Sequence, residues 1–270
     1  MLRSKVRLWD SFSVGLQVNN ASLQRFKKFL VRESFRPGWV GFFTNPFYLA
    51  RKELYNNIHE LAPLVGGRVL DVGCGIKPYK PLFHVGEYLG LELDTPTNRE
   101  QKQADIFYDG HVFPFDGETF DTVVANQVLE HVFEPNDFVR EIYRVLRVNG
   151  SVLLSVPFLW DEHEQPADYG RYTSFGLKHL LEKHGFAIRE YRKTAQGLQV
   201  HCQLLSCYLF KQVNTWNPVA KFSAWVLFSS PLNFIGEVVG RLLPSNRDLY
   251  LDNIVFATKV RLNQQQALNK

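Results

Sequence analysis

Cysteine is scarce in this sequence: Cys74, Cys202 and Cys207 are the only three among 270 residues. An odd count with no C-x-x-C pair excludes a disulfide framework and supplies no zinc-ligand set, which fits a reducing compartment. A dominant charge sign is missing too. The 31 Lys/Arg and 27 Asp/Glu leave a net +4, too little to argue for a nucleic-acid partner. Long apolar runs are also absent. The longest uncharged stretch of the C-terminal part, Phe222 to Gly236, contains Ser229, Ser230, Pro231 and Asn233 and falls short of the ~20 apolar residues a spanning helix needs, so no clean transmembrane helix is expected. The start, Met1 to Arg7, is basic, but no apolar run of signal-peptide length follows before Asp10. A cytoplasmic location is the expectation.

What is present is enough apolar matter for a large core. The hydrophobic fraction is 45% and the aromatic fraction 14%, which argues against disordered and low-complexity classes. The length suits one large domain with appendages. Composition divides it into an N-terminal helical segment (1–64), a central α/β core (65–194), a helical cap or insertion (195–248) and a last strand and tail (249–270). Residues 1–60 hold ten Lys/Arg against four Asp/Glu, which reads as a solvated basic face or as a surface for an anionic partner.

The core alternates short apolar runs with helical patterns. Strands are expected at Arg68 to Val72, Tyr88 to Leu93, Thr119 to Ala125, Ser151 to Val156, Phe186 to Tyr191 and Asn253 to Lys259, with a short one near Asp105-Ile106. Helices are expected from Asn136 to Leu146 and from Ser174, as cap, to Lys183, with Gly185 as the stop. Upstream, Ser22 caps one predicted helix and Asn45-Pro46 opens another that runs to Leu61. Alternating strands and helices imply a mostly parallel, doubly wound sheet.

In such a sheet ligands bind beyond the carboxyl ends of the strands. The first strand runs into Asp71-Val72-Gly73-Cys74-Gly75. Its two glycines let the backbone approach a ligand, and the turn offers N–H groups to an anionic carboxylate. Gly-rich turns also serve dinucleotides, but the third glycine of that fingerprint is replaced by Lys77. About 20 residues on, Glu92 ends the second strand, where a carboxylate can take both hydroxyls of a ribose; Asp94 is the second choice.

These residues are similar to a known family. Val69-Leu70-Asp71-Val72-Gly73-Cys74-Gly75, Gly90-x-Glu92, Phe120-Asp121-x-Val123-Val124 with Leu129-Glu130-His131-Val132, and Leu146-x-x-x-Gly150-x-Val152-Leu153-Leu154-Ser155-Val156-Pro157 together resemble the class I S-adenosylmethionine-dependent methyltransferases. The resemblance covers about residues 65–194 and resumes at the last strand. It implies a Rossmann-like sheet of seven strands with the last antiparallel, residues 195–248 being inserted before it. It also implies S-adenosylmethionine as cofactor, held by Asp71, Gly73, Cys74 and Gly75, by Glu92 at the ribose, by Asp105 and Ile106 at the adenine, and by Gln127, beside Asn126, near the methionine part. Cys74 is read as a tight fit between strand and helix, with no activating neighbours. His163-x-x-Pro166-x-Asp168-Tyr169-x-Arg171-Tyr172-Thr173 adds a narrower similarity to bacterial small-molecule and glycan-pathway methyltransferases.

Methyl transfer is an in-line displacement, so a protein aligns the acceptor and, for a hydroxyl, removes its proton. His131, just past the fourth strand, and His163 are the candidate bases; a hydrogen-bonded structural histidine is the alternative for His131. Gln127 to His131 also resembles the Glu-x-x-Glu-His metal motif of some related enzymes, but the first acid is an amide here, and no metal is expected. The loop from Asp161 to Thr173 reads as a substrate lid in which Asp168, Tyr169, Arg171 and Tyr172 meet the acceptor, or as a charged connection held by an Asp168–Arg171 pair. The aromatic zone 195–248 reads as a cap over an acceptor pocket, or as a surface for peripheral membrane contact or a lipid-linked acceptor.

The function expected is methylation, on oxygen, of a small-molecule, glycan or lipid-linked acceptor. An inactive cofactor-binding protein of the same fold and a nucleic-acid methyltransferase are the alternatives. Against the second, no Asn/Asp-Pro-Pro-aromatic sequence and no Pro-Cys nucleophile follows the fourth strand, so no nucleic-acid partner is expected. Nothing in the sequence sets the oligomeric state.

Overall fold

The computed structural model describes residues 20–213, 215–244 and 246–261. The described residues form two compact units: those within 20–56, 162–166 and 194–251 make one, and those within 57–161, 167–193 and 252–261 the other.

The second unit holds a seven-stranded sheet of order β3-β2-β1-β4-β5-β7-β6. Its strands are β1 (Arg68–Val72), β2 (Glu87–Leu93), β3 (Ile106–Tyr108), β4 (Phe120–Asn126), β5 (Leu146–Pro157), β6 (Phe186–Lys193) and β7 (Asp252–Lys259). β1 pairs in parallel with β2 and β4, β2 with β3, and β4 with β5, while β7 runs antiparallel between β5 and β6. The order reverses between β1 and β4, which opens a crevice at their carboxyl ends. β1 is buried from Val69 to Val72 without alternation because helices cover both faces.

One core cluster unites the sheet residues Leu70, Val123, Val152 and Val255 with Phe138 and Ile142 of one helix (Pro135–Val145) and Leu177 and Leu181 of another (Ser174–Lys183). Two local expectations change. Leu146 is the first residue of β5, paired with Phe120, because the helix ends at Val145. Thr173 rather than Ser174 caps the next helix, its hydroxyl accepting the Gly176 N–H at 3.1 Å. Gly185 is the expected stop, at φ +88°.

The first unit is helical. Its helices are Asn20–Phe35, Trp39–Thr44, the N-terminal part of Tyr48–Leu61, Leu198–Val213 and Pro218–Phe234. The side chain of Ser22, expected as a cap, lies outside the described residues. Asn45 does open the third helix: its Oδ1 accepts the Phe47 N–H at 2.9 Å. Glu33 is buried at the end of the first helix and accepts the N–H groups of Gly38 and Gly41, so its charge caps the short helix that follows. Gln203, fully buried, accepts from Ala50 N–H and donates to the Pro46 carbonyl, tying chain segments far apart in sequence.

The last long helix departs from the expectation. The chain continues helically through Pro231 and a π turn at Ile235–Val239, giving 24 residues from Val219 to Leu242, long and apolar enough to cross a membrane by length and composition. Only 33% of its most apolar window is buried.

Candidate active site

The glycine loop is shaped by its neighbours as much as by its own sequence. The N–H groups of Gly73 and Cys74 both donate to the Leu91 carbonyl of β2, and Gly73, Gly75 and Lys77 adopt left-handed φ of +65°, +54° and +54°. At Gly73 a side chain is forbidden twice over, by this φ and because a Cβ would lie 2.5 Å from Val128 Cγ2. At Gly75 a Cβ would meet nothing nearer than Lys102 Nζ at 3.8 Å, so the loop leaves room there.

Glu92 is buried and lies under the loop: its Oε2 accepts the Gly75 N–H at 3.0 Å. Asp94 points elsewhere, into a bidentate ion pair with Arg99 at 2.6 and 2.8 Å. The two candidate acids are thereby separated, Glu92 on the loop and Asp94 on an exposed pair. Asp105 precedes β3 and latches the same region. Its Oδ2 accepts the Gly90 N–H at 2.6 Å and the Lys77 ammonium at 2.5 Å. Burial opposes the charged form, but these two donors hold its carboxyl below the usual range. Ile106 follows at the half-buried start of β3, beside Leu91.

Asp71 is buried beneath the loop and accepts a hydrogen bond from Tyr88 at 2.6 Å. Burial pushes its carboxyl up to about 7, a rise that the Tyr88 hydroxyl and Lys77 moderate and Glu92 adds to. Cys74 is a buried thiol pushed up to about 12, first by burial and then by Asp71 and Glu92, which removes the thiolate that reactivity would need.

At the end of β4, Gln127 takes φ +55° and donates its N–H to the Ser155 carbonyl at 2.9 Å, while Ser155 Oγ donates to Asn126 Oδ1 at 3.1 Å. A 3₁₀ turn, Leu129–His131, follows. His131 Nδ1 lies 2.6 Å from the Ala167 carbonyl. A carbonyl only accepts, so Nδ1 carries a proton and Nε2 is the ring's other nitrogen, 3.9 Å from Glu130 Oε1. Glu130 is fully buried, and neither carboxyl oxygen has a hydrogen-bond partner among the described residues. Burial pushes it up to about 8, with Asp252 adding to the rise and Arg171 opposing it.

The expected lid is a rigid connection at its base. Arg171 grips the buried Asp168 through two contacts of 2.6 and 2.7 Å and donates to the carbonyls of Trp160, Asp161 and Gly170. Its charge is engaged in holding this segment. Tyr169 and Gly170 donate their N–H groups to the Glu130 carbonyl, which binds the segment to the turn after β4. Tyr169 is exposed and packs edge-to-face on Phe133 with centroids 5.3 Å apart. Tyr172 is half-buried, its carbonyl accepting from Asn253 Nδ2. His163 falls in the segment 162–166 of the helical unit.

Three residues matter here that the sequence reading gave no role. Tyr88 holds Asp71. Gly90 lets Lys77 and Cys74 lie against β2, since a Cβ there would sit 2.4 Å from Lys77 Cε and 2.6 Å from Cys74 Sγ. Glu130 is a buried acid whose Oε1 lies 3.9 Å from His131 Nε2. Gly90 and Glu130 stand in the quoted motifs; Tyr88 carries no local signal.

Asp71, Gly73, Cys74, Gly75, Glu92, Asp105 and Ile106 therefore converge at the carboxyl ends of β1 and β2, with Gln127 at the end of neighbouring β4. These residues fit S-adenosylmethionine: a loop with room above Gly75 and a buried carboxylate beneath it. The comparisons agree. Residues 70–154 match the family model described as a methyltransferase domain. A bovine (Bos taurus) mitochondrial ubiquinone biosynthesis O-methyltransferase is 31% identical over 108 residues, 34% of this chain and 29% of that one. A Mycolicibacterium smegmatis protein described as “Probable S-adenosylmethionine-dependent methyltransferase” is 30% identical over 165 residues, 56% of this chain and 62% of that one. The chain thus spans less than two thirds of the length of either relative. Among solved structures, a Haemonchus contortus phosphoethanolamine N-methyltransferase 2 in complex with S-adenosyl-L-methionine shares the fold, with TM-score 0.50 and 18% identity over 87% of this chain and 60% of that one. Residues 70–154 thus match a methyltransferase domain, within a seven-stranded unit that has the Rossmann-like methyltransferase fold.

Proposed function

We propose that the protein methylates a small-molecule, glycan or lipid-linked acceptor, on oxygen. The observation that carries the reading is the cradle formed by Gly75 N–H on the buried Glu92 carboxylate, next to a loop held in left-handed backbone by Gly73 and Gly75. S-adenosylmethionine, when bound there, supplies an electrophilic methyl group. The chain's own share is to seat, orient and take up a proton. The left-handed loop presents backbone where a side chain would obstruct. Glu92 supplies a buried carboxylate suited to ribose hydroxyls. His131, with Nδ1–H fixed on the Ala167 carbonyl, has the tautomer that lets Nε2 accept a proton from an acceptor hydroxyl. Oxygen as the target also draws support from the relative described as an O-methyltransferase.

Calorimetric titration with S-adenosylmethionine and S-adenosylhomocysteine, followed by transfer of labelled methyl to phenol, sugar and lipid-linked acceptors, tests this reading. Saturable binding and a labelled product are expected. Binding with no product in any acceptor pool would leave a non-catalytic cofactor-binding protein, and no binding would overturn the reading.

A further inference from the structure

We infer that the helical unit seats on an anionic phospholipid surface through the outer face of the helix Val219–Leu242. The inference concerns where the protein works and stands independently of the methyl-transfer reading.

The polarity of this helix is inverted. On a water-facing helix the polar residues point outward. Here Ser229, Asn233 and Glu237, spaced four apart on one face, are the buried ones. Ser206 donates to Ser229 at 3.3 Å, Asn233 donates to the Phe42 carbonyl at 2.7 Å, and Glu237 receives Lys52 and Arg241, each at 2.8 Å. The outward face carries Val219, Leu227, Phe234, Val238 and Leu242 instead, of which Val219 is 73%, Leu227 66% and Leu242 80% exposed. The apolar surface continues onto the short helix Trp39–Thr44, whose Phe43 carbonyl accepts from Ser230 and whose Trp39 is 84% exposed. Contiguous exposed apolar area on this scale marks a surface meant to be covered.

Charge decides what covers it. The described residues of the helical unit, 20–56, 162–166 and 194–251, hold eleven Lys/Arg against six acids, a net +5. Two of these acids, Glu33 and Glu237, are buried and bonded inside the unit, which leaves the basic residues in excess on its surface. Lys221 and Arg241 stand near the two ends of the apolar face. A second copy of the chain would bring like charge onto like charge. An anionic bilayer receives both features at once, acyl chains taking the apolar face and headgroups the basic rim. At 1.5 Å per residue the helix is about 36 Å long. Its polar row, packed in the protein, sets it parallel to the surface, since a spanning helix would carry the Glu237 ion pairs into hydrocarbon.

The test is flotation of the purified full chain with phosphatidylcholine vesicles, with and without phosphatidylglycerol. The expectation is at least about tenfold stronger binding to the anionic vesicles. Leu227→Glu with Phe234→Glu should abolish flotation while leaving S-adenosylmethionine affinity by calorimetry unchanged. Quenching of tryptophan fluorescence by brominated lipid, reduced in Trp39→Phe, gives a second readout that does not depend on the double variant folding. Failure of the wild type to float, flotation unaffected by the double variant despite retained folding, or a dimer in sedimentation that the double variant dissociates would each overturn the proposal. The last would assign the face to a second copy.

Discussion

Glu92 accepts the Gly75 amide at 3.0 Å, so the acid that ends β2 holds the turn that ends β1. In the proposed function, one carboxylate therefore serves both loop shape and cofactor affinity. Glu92→Ala should weaken S-adenosylmethionine binding by about 1.5 to 3 kcal/mol, the range for hydrogen bonds to a charged group. Glu92→Gln, which retains an acceptor for the Gly75 N–H, should lose less. Calorimetric titration measures both, and equal affinity for the folded Ala variant and the wild type would count against the assignment.

Gly73 is held at φ +65° with Val128 against it. Gly73→Ala adds a left-handed penalty of about 1 to 2 kcal/mol and an overpacking cost of similar size. Denaturant unfolding should show a lowered midpoint, and cofactor affinity should fall with it because the loop must shift.

Stability should depend on pH through Glu130. Its folded-state value, about 8, lies above the ordinary glutamate value of 4.5. The folded state therefore holds the proton more tightly than the unfolded chain does. The associated stability is complete below about pH 4.5 and is lost as pH rises through about 8. Asp71, raised from 3.8 to about 7, acts in the same direction over a lower window. Glu130→Gln should flatten the alkaline part of the profile, leaving the variant more stable than the wild type above pH 8 by on the order of a few kcal/mol. Parallel unfolding curves across pH 5 to 9 would contradict this.

His131→Ala should leave cofactor affinity intact and reduce turnover roughly 10²- to 10⁴-fold, the usual contribution of a positioned base. Single-turnover methyl transfer at several pH values is the measurement. A normal rate would limit the protein's role to alignment.

Arg171→Met would leave Asp168, which is 3% exposed, as a buried charge without its partner. A loss of about 3 kcal/mol in unfolding free energy is expected, at the lower end for a broken buried pair because Arg171 itself is partly solvated.

The sheet was legible because each strand carries its own signal: apolar residues at Val69 to Val72 bounded by glycine, or at Val123 to Ala125 before Asn126. The place of Glu92 beside the glycine loop was legible for the same reason, as an acid at a fixed distance from a glycine turn. Tyr88 and Asp105 were harder to read. Tyr88 holds Asp71 and Asp105 holds Gly90 across strands, and the register that brings them together is a property of pairing rather than of local pattern. Leu146 misled because a leucine on the apolar face of a helix also suits a buried strand start. The run from Phe222 to Gly236 was bounded by the charges of Lys221 and Glu237, whereas the helix takes in both, passing Pro231 and widening into a π turn.

The position of β7 also dictates an order of assembly. This strand occupies the gap between β5 and β6, yet 58 residues separate the end of β6 at Lys193 from its start at Asp252. On the ribosome, β5 emerges with a bare edge and β6 with no neighbour until the whole helical stretch has been made. The nascent sheet therefore waits for its final strand, and during that interval the flank of β5 is the surface a chaperone would have most reason to shield.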